Sequence, residues 1–120
     1  MKAEKWKEII TEACQSAGTY KPFFENVIDT LADILEKRDL AKKGFEKSGG
    51  NPVIIHTNQG GNANPSKNPF LVVIDDYNKT ALAYWRDLGL TPKGLKAIND
   101  QALKGKEKSG LEEVLAKIGG

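Results

Sequence analysis

The side chains that most often do chemistry in enzymes are scarce in this chain of 120 residues, which has one histidine, His56, and one cysteine, Cys14. A zinc site draws on several His and Cys ligands, and a single cysteine cannot form an internal disulfide. His56 falls in a predicted strand, where we expect a structural or surface role. Cys14 falls on or near the apolar face of the first predicted helix, which favours a buried and unreactive thiol.

Two short motifs resemble chemical sites but have simpler explanations. Gly60-Gly61 is glycine-rich, yet no Gly-Lys-Ser/Thr sequence follows at the spacing of a phosphate-binding loop, so it predicts the turn of a hairpin. Asp75 and Asp76 are neighbours in a predicted helix, where adjacent side chains point about a quarter-turn apart. They suit the solvent face of the first helical turn. The sequence therefore predicts a protein that is not an enzyme and that holds no metal and no cofactor.

The elements that would position any site belong to one small domain. A chain of 120 residues and 13.1 kDa is of ordinary size for one domain, so we expect a single unit over 1–120. We place its core at about 18–100, followed by a linker and a short terminal helix in 101–120. No apolar run approaches the ~20 residues of a membrane span, and the charged start lacks the apolar stretch of a secretion signal. A cytosolic protein is expected.

The spacing of apolar residues predicts a mainly α fold. A short N-terminal helix runs from about residue 3 to residue 17, and a long helix covers 22–46. Asn68-Pro69 is a strong helix start, because Asn caps the helix and Pro suits its first position, and it opens a second long helix over 69–88. The apolar steps of both long helices alternate between three and four residues, as in a long antiparallel helical hairpin.

The segments between and after the long helices are shorter. Residues 53–57 are typical of a strand and 63–67 of a weaker second arm, which together predict a small β-hairpin or an extended loop. A lone hairpin is marginally stable, so we expect it to pack on the helices or on a neighbouring subunit. Short C-terminal helices follow: one to about Asp100, a solvated linker at 104–108, and a last one from the capping box that begins at Ser109.

The helix over 69–88 is apolar on more than one side, which usually indicates more than one packing partner. In a chain this short, the second partner can be another copy of the same chain. The sequence thus predicts an oligomer interface on this helix. The residues assigned to it are Leu71, Val72, Tyr77, Tyr84 and Trp85.

The formal net charge is only +2, but the positive excess is local. Residues 1–48 carry nine basic and nine acidic side chains, whereas 91–108 carry five lysines against two acidic residues. Lys93 and Lys96 would stand close together on the short helix. Lysines in such a patch can contact phosphates without reading a base sequence. The alternative is a solubilising and flexible tail.

Three passages, taken together, resemble a known family. Each is generic alone, since it marks only a helix end or a helix start, but their order and spacing are similar to those of bacteriophage terminase small subunits, specifically the P-twenty-seven branch. The resemblance covers about residues 18–100. The passages are Gly18-Thr-Tyr-Lys-Pro-Phe-Phe, then Ser48-Gly-Gly-Asn-Pro-Val-Ile-Ile-His-Thr-Asn leading into Asn68-Pro-Phe-Leu, and Ala83-Tyr-Trp-Arg-Asp-Leu-Gly-Leu-Thr-Pro-Lys-Gly-Leu.

The resemblance implies a role in packaging viral DNA. Small terminase subunits form ring-like homo-oligomers, recognise concatemeric double-stranded viral DNA and deliver it to the large subunit, which carries the ATPase and the nuclease. It implies a non-catalytic adaptor in the cytoplasm of the bacterial host, with no membrane partner. The alternative is a small helical protein–protein interaction module that does not bind DNA.

Site residues are assigned on this basis. Our first choice for DNA contacts is Lys93, Lys96 and Lys104, and our second is Lys42, Lys43 and Lys67 near the hairpin end. The terminal segment carries a small apolar face that would dock the large subunit, made of Leu111, Leu115 and Ile118.

Overall fold

A computed structural model describes the backbone of residues 1–118 and the side chains of residues 1–104 and of Leu115. Over this part of the chain the fold is mainly helical, with a two-stranded antiparallel hairpin between two long helices, which confirms the predicted fold class. A single 3₁₀ turn, Pro22–Phe24, leads into the first long helix. The elements in chain order are α1 (Ala3–Ala17), α2 (Glu25–Lys47), β1 (Val53–Thr57), β2 (Ala63–Lys67), α3 (Pro69–Asp87) and α4 (Pro92–Ile118).

The centre of the fold is the antiparallel pair α2 and α3. Gly44 on α2 lies against the ring of Phe70 on α3, and the Arg38 guanidinium donates a hydrogen bond to Asn78 Oδ1 at 3.4 Å, so residue numbers rise along one helix as they fall along the other. The core between α1, α2 and α3 excludes water because each helix turns its apolar stripe inward. Its buried members include Ile10, Cys14, Ile28, Leu31, Ala32, Leu35, Ala81 and Leu88.

Helix α1 is fastened to α2 by carboxylates as well as by apolar contact. The Ala3 N–H donates to Glu36 Oε2 at 2.7 Å, which satisfies one of the unpaired amides at the start of α1. The Trp6 Nε1–H donates to Asp39 Oδ2 at 2.8 Å. At its other end α1 stops at Gly18, whose φ of 73° is the left-handed conformation that favours glycine. The helix end predicted there is confirmed.

Asn68 joins the ends of α2, the hairpin and α3. Its side-chain oxygen accepts a hydrogen bond from the Phe70 N–H at 3.0 Å, which makes it the N-cap that the sequence predicts. Its amide group donates to the Asn51 carbonyl oxygen at 3.0 Å and to Ser48 Oγ at 3.2 Å. Asn68 is 2% exposed. A single buried side chain therefore links the end of α2 and the end of the hairpin to the start of α3.

The two strands pair with each other in one chain. Val53 lies opposite Lys67, and Thr57 lies opposite Ala63, with a turn over 58–62 between them. The hairpin packs little against the helices, since the strands make almost all of their contacts with each other. Both strands are largely exposed. Of the two partners expected for this hairpin, its own helices cover little of it.

The C-terminal segment differs from the sequence prediction. We expected a short helix to about Asp100, a solvated linker at 104–108 and a second helix from Ser109, but the backbone forms one continuous helix, α4, from Pro92 to Ile118. Lys, Glu and Leu are good helix formers, and each glycine inside the helix here, Gly105 and Gly110, costs only about 1 kcal/mol. No proline interrupts this stretch. A run of charges therefore marked part of a helix and not a break in it.

Candidate nucleic-acid interface

The start of α4 is fixed against the end of α3, which gives the lysines of α4 a defined position. The Thr91 hydroxyl accepts a hydrogen bond from the Gly94 N–H at 3.0 Å, and the Thr91 carbonyl oxygen accepts one from the Leu95 N–H at 2.8 Å. Gly94 is buried against the backbone of Arg86, where an added Cβ would lie 2.8 Å from the carbonyl carbon. Any side chain at Gly94 would push the two helices apart.

Lys93, Lys96 and Lys104 lie on one face of α4. All are exposed, and their steps of three and eight residues place them within about a quarter of the helix circumference. Asp100 falls in the middle of the same face, about one turn from both Lys96 and Lys104. The structure thus brings together the three lysines of our first choice, and their net charge with Asp100 is +2 (three positive, one negative).

The groove between the end of α3 and the start of α4 adds a cation that the sequence analysis missed. Arg86 lines this groove together with Lys93 and Gln101, and Asp87 lines it too. In the sequence, Arg86 stands out only as a residue near a predicted helix end. Its place beside Lys93 depends on the close approach of α4 at Gly94, which no spacing rule would reveal. Arg86 therefore extends the lysine face towards α3.

The second group of lysines lies at the opposite end of the α2–α3 pair. Lys42 and Lys43 are exposed near the end of α2, and Lys67 ends β2. The length of α3, 19 residues or about 28 Å, separates this end from α4. Lys67 pairs with Asp75 at 2.8 Å, and the hydrogen bond from Lys67 holds the pKa of that carboxyl below its usual value. The structure does not bring the two groups of lysines together.

The residues assigned to an oligomer interface differ in how far they are buried within the chain. Tyr84 and Trp85 are half-buried and pack against the chain's own core. Leu71 and Tyr77 are half-buried too, while Val72 remains 44% exposed. Part of the wide apolar stripe is thus explained by packing within one chain. Their role between copies stays a prediction.

Further apolar side chains on α3 are exposed, namely Phe70, Val73 and Leu82. At the far end of α4, Leu115 is 58% exposed, and the other two residues of the predicted docking face, Leu111 and Ile118, have side chains outside the described part of the chain. Despite this apolar surface, none of the described helices combines the length and the low polarity needed to cross a membrane. Where exposed apolar side chains form one contiguous patch, they typically mark contact with other proteins.

Cys14 and His56 are titratable side chains that the sequence analysis singled out. Cys14 is fully buried, as predicted, and this burial raises the pKa of its thiol. His56 is exposed on β1, which agrees with a surface role. Among the residues whose side chains are described, no group of three or more His, Cys, Asp or Glu is placed to hold a metal ion.

Comparison with known proteins identifies the family. The profile of the family described as "Phage terminase, small subunit" matches residues 3–102, which includes α1 as well as the stretch from Gly18 onward. No curated protein and no solved structure shows significant similarity to the chain. The match covers well over half of the chain and does not specify a branch of the family. The chain therefore belongs to the phage terminase small subunit family, and the family points to a role in phage DNA packaging.

Proposed function

We propose that this protein is a non-catalytic DNA-packaging adaptor that binds viral double-stranded DNA and presents it to the large terminase subunit. Membership of the terminase small subunit family carries the proposal. The exposed lysine face of α4, formed by Lys93, Lys96 and Lys104, supplies the chemistry. Lysine binds phosphate as a point charge, so this face would hold the DNA backbone without reading base edges.

The proposal includes assembly of copies into a homo-oligomer, in keeping with the ring-like form of the family. Together with Asp100, one lysine face carries a net charge of +2 (three lysines, one aspartate). A single chain therefore attracts DNA only weakly. In a ring, the same face repeats on every subunit and the potentials add. DNA binding would then depend on assembly and fall steeply with added salt.

The experiment that tests DNA binding changes Lys93, Lys96 and Lys104 to Glu and measures affinity for duplex DNA at several salt concentrations. We expect binding to collapse and the slope of log affinity against log salt to shrink by roughly 0.9 for each phosphate that the variant no longer neutralises. The charge-matched control is the triple change of Lys5, Lys21 and Lys79 to Glu, which alters net charge equally on other exposed surfaces.

The outcomes separate the candidate functions. A larger reduction in affinity for the α4 variant than for the control supports the adaptor. Equal reductions in both would show that general charge, and not the α4 face, holds the DNA. A wild-type protein that binds no duplex DNA at low salt, while still self-associating, would overturn the proposal in favour of a protein–protein interaction module.

A further inference from the structure

The hairpin of β1 and β2 leaves two of its three large apolar side chains in solvent. Val53 is 55% exposed and Ile55 is 71% exposed, although both are β-branched residues that strands normally bury. The helices of the same chain cover little of either strand. Since a two-stranded hairpin alone is marginal in water, this one needs a further contact to be stable.

Two backbone hydrogen bonds fix which groups of β1 point outward. The Asn58 N–H donates to the Asn62 carbonyl oxygen at 3.0 Å, and the Asn68 N–H donates to the Pro52 carbonyl oxygen at 2.9 Å. In an antiparallel ladder, hydrogen-bonded and non-hydrogen-bonded pairs alternate. The even-numbered residues of β1 therefore bond to β2. The backbone groups of Val53, Ile55 and Thr57 face away from β2, at the open edge.

The two edges of the hairpin differ in how well they are protected. Pro65 lies opposite Ile55, at a position whose nitrogen faces the outer edge of β2, and proline has no N–H to offer there. Lys67 adds a charge to the same edge. Both features are ways in which proteins block the addition of another strand. The β1 edge has neither a proline nor a charge over Val53–Thr57.

We propose that β1 pairs antiparallel with β1 of a second copy, centred on Ile55, so that the two hairpins form one four-stranded sheet. This proposal rests on the self-association included in the proposed function and names one of its contacts. Pairing about Ile55 sets Val53 opposite Thr57 of the second copy. The outward groups of all three residues then satisfy one another, with about six new backbone hydrogen bonds.

A second copy fits this edge better than DNA does. β-ribbons that enter DNA grooves use charged or amide side chains on the ribbon to reach bases and phosphates. Here the one lysine of the two strands, Lys67, is paired with Asp75. The outward residues of the β1 edge, Val53, Ile55 and Thr57, carry neither a charge nor an amide, whereas the amide side chains of the hairpin lie on Asn64 of β2 and in the turn over 58–62. A second copy of β1 offers matching outward backbone groups and brings no charge to this edge, so β1 is suited to pair with itself.

The pairing has a definite symmetry. Two identical strands that run antiparallel about Ile55 are related by a two-fold axis, and each contributes the same surface. If other surfaces build a ring, this contact joins two rings face to face; if they do not, it makes a dimer. In either case, breaking it halves the mass of the assembly.

The first test is Ile55→Pro in the full chain, with native mass measured by light scattering at two or more concentrations. The change removes an N–H that the hairpin itself does not use, as Pro65 already does on the other edge. We expect the mass to fall to half. The control Ile55→Val keeps the N–H and the β-branched shape, and its mass should match the wild type. An unchanged mass for Ile55→Pro would overturn the proposal.

The second test is amide hydrogen exchange in the unaltered protein, which does not depend on whether the proline variant folds. The amides of Ile54 and His56 bond within the hairpin, so they should be protected whenever the hairpin is formed. Those of Val53, Ile55 and Thr57 should be protected only when a second β1 covers the edge, and less so on dilution. Rapid exchange of these three amides in the assembled protein overturns the pairing, as does protection that requires duplex DNA.

These outcomes are separate from those of the proposed function. Ile55→Pro leaves the lysines of α4 in place, so the assembly of half the mass should still bind duplex DNA. Failure of the pairing tests with DNA binding intact would refute the strand contact alone. If the wild-type protein bound no duplex DNA at low salt while Ile55→Pro still halved the mass, the adaptor role alone would be refuted.

Discussion

The side chain of Asp39 shows how single residues fasten α1 to α2. Its carboxylate accepts hydrogen bonds from Trp6 Nε1–H at 2.8 Å and from the amino group of Met1 at 3.2 Å, and Arg38 donates to it at 3.2 Å. The Arg38 guanidinium also lies 5.4 Å from the centre of the Trp6 ring. Partial burial acts to raise the pKa of Asp39, but these hydrogen bonds outweigh it and hold the pKa below its usual value.

The sign of this pKa shift predicts a dependence of stability on pH. Because the folded-state pKa is lower than the unfolded one, Asp39 stabilises the fold above its unfolded pKa, about 4, and this contribution disappears as pH falls through the folded-state pKa. We expect Asp39→Asn to lower the free energy of unfolding by about 1–2 kcal/mol at pH 7. The difference from wild type should shrink below about pH 4. Urea unfolding followed by tryptophan fluorescence measures both.

The matched control for that prediction is Asp33→Asn on the exposed side of the same helix, α2. Its effect should stay within about 0.5 kcal/mol at either pH, as is usual for surface substitutions. If Asp39→Asn and Asp33→Asn were equally mild at pH 7, the carboxylate contacts of α1 would be energetically unimportant, and apolar packing alone would hold this helix.

At the scale of elements, the sequence predicted best what local rules determine. Asn68-Pro69 and Gly18 marked helix ends because N-caps and left-handed C-caps depend on residues next to them in the chain. The linker expected at 104–108 was wrong, because charge and a glycine say little about whether a helix continues. The lysine face was extended to Arg86 only once the approach of α3 and α4 at Gly94 was known. Contacts between distant segments leave no such local mark.

Because α4 is continuous, removing the C-terminal segment shortens this helix and does not detach a separate one. A chain that ends at residue 108 should keep the start of α4, its lysines and its contact with α3. We expect this shortened chain to assemble and to bind DNA, and to fail to bind the large terminase subunit because the proposed docking face, Leu111, Leu115 and Ile118, is absent. A pull-down with the large subunit measures this.

A full-length variant, Leu115→Glu, serves as the companion to that deletion because Leu115 is exposed and its change leaves the core intact. Weakened large-subunit binding in both proteins supports docking by the terminal face. Binding that survives in both would place the docking surface elsewhere on the protein.

The whole molecule is elongated. Its radius of gyration is 22.5 Å and its extents are 86 × 28 × 19 Å, whereas a compact domain of this length has a radius of gyration of about 14 Å. A long, thin chain buries less of its surface than a sphere does, and exposed apolar residues such as Phe23 and Leu40 add to the uncovered area. Such a shape is typical of a subunit that completes its burial by contact with other copies.

This shape predicts that stability depends on concentration. We expect the native mass to be a multiple of the 13.1 kDa chain and the midpoint of thermal unfolding to rise with protein concentration, because subunits that bind only the folded form stabilise it by mass action. Light scattering and differential scanning calorimetry at a series of dilutions check both. A 13.1 kDa monomer with a constant midpoint at all concentrations would contradict the proposed homo-oligomer.

One consequence of the unbroken helix α4 is a fixed spacing along the molecule. Lys93, Lys104 and Leu115 recur at intervals of 11 residues, which is close to three whole turns, so their positions align on one side of the axis with about 16 Å between neighbours. If DNA binds to the lysines and the large terminase subunit binds to Leu115, the continuous helix sets both the distance and the angle between them. The length of α4 would then determine where the DNA lies relative to the large subunit.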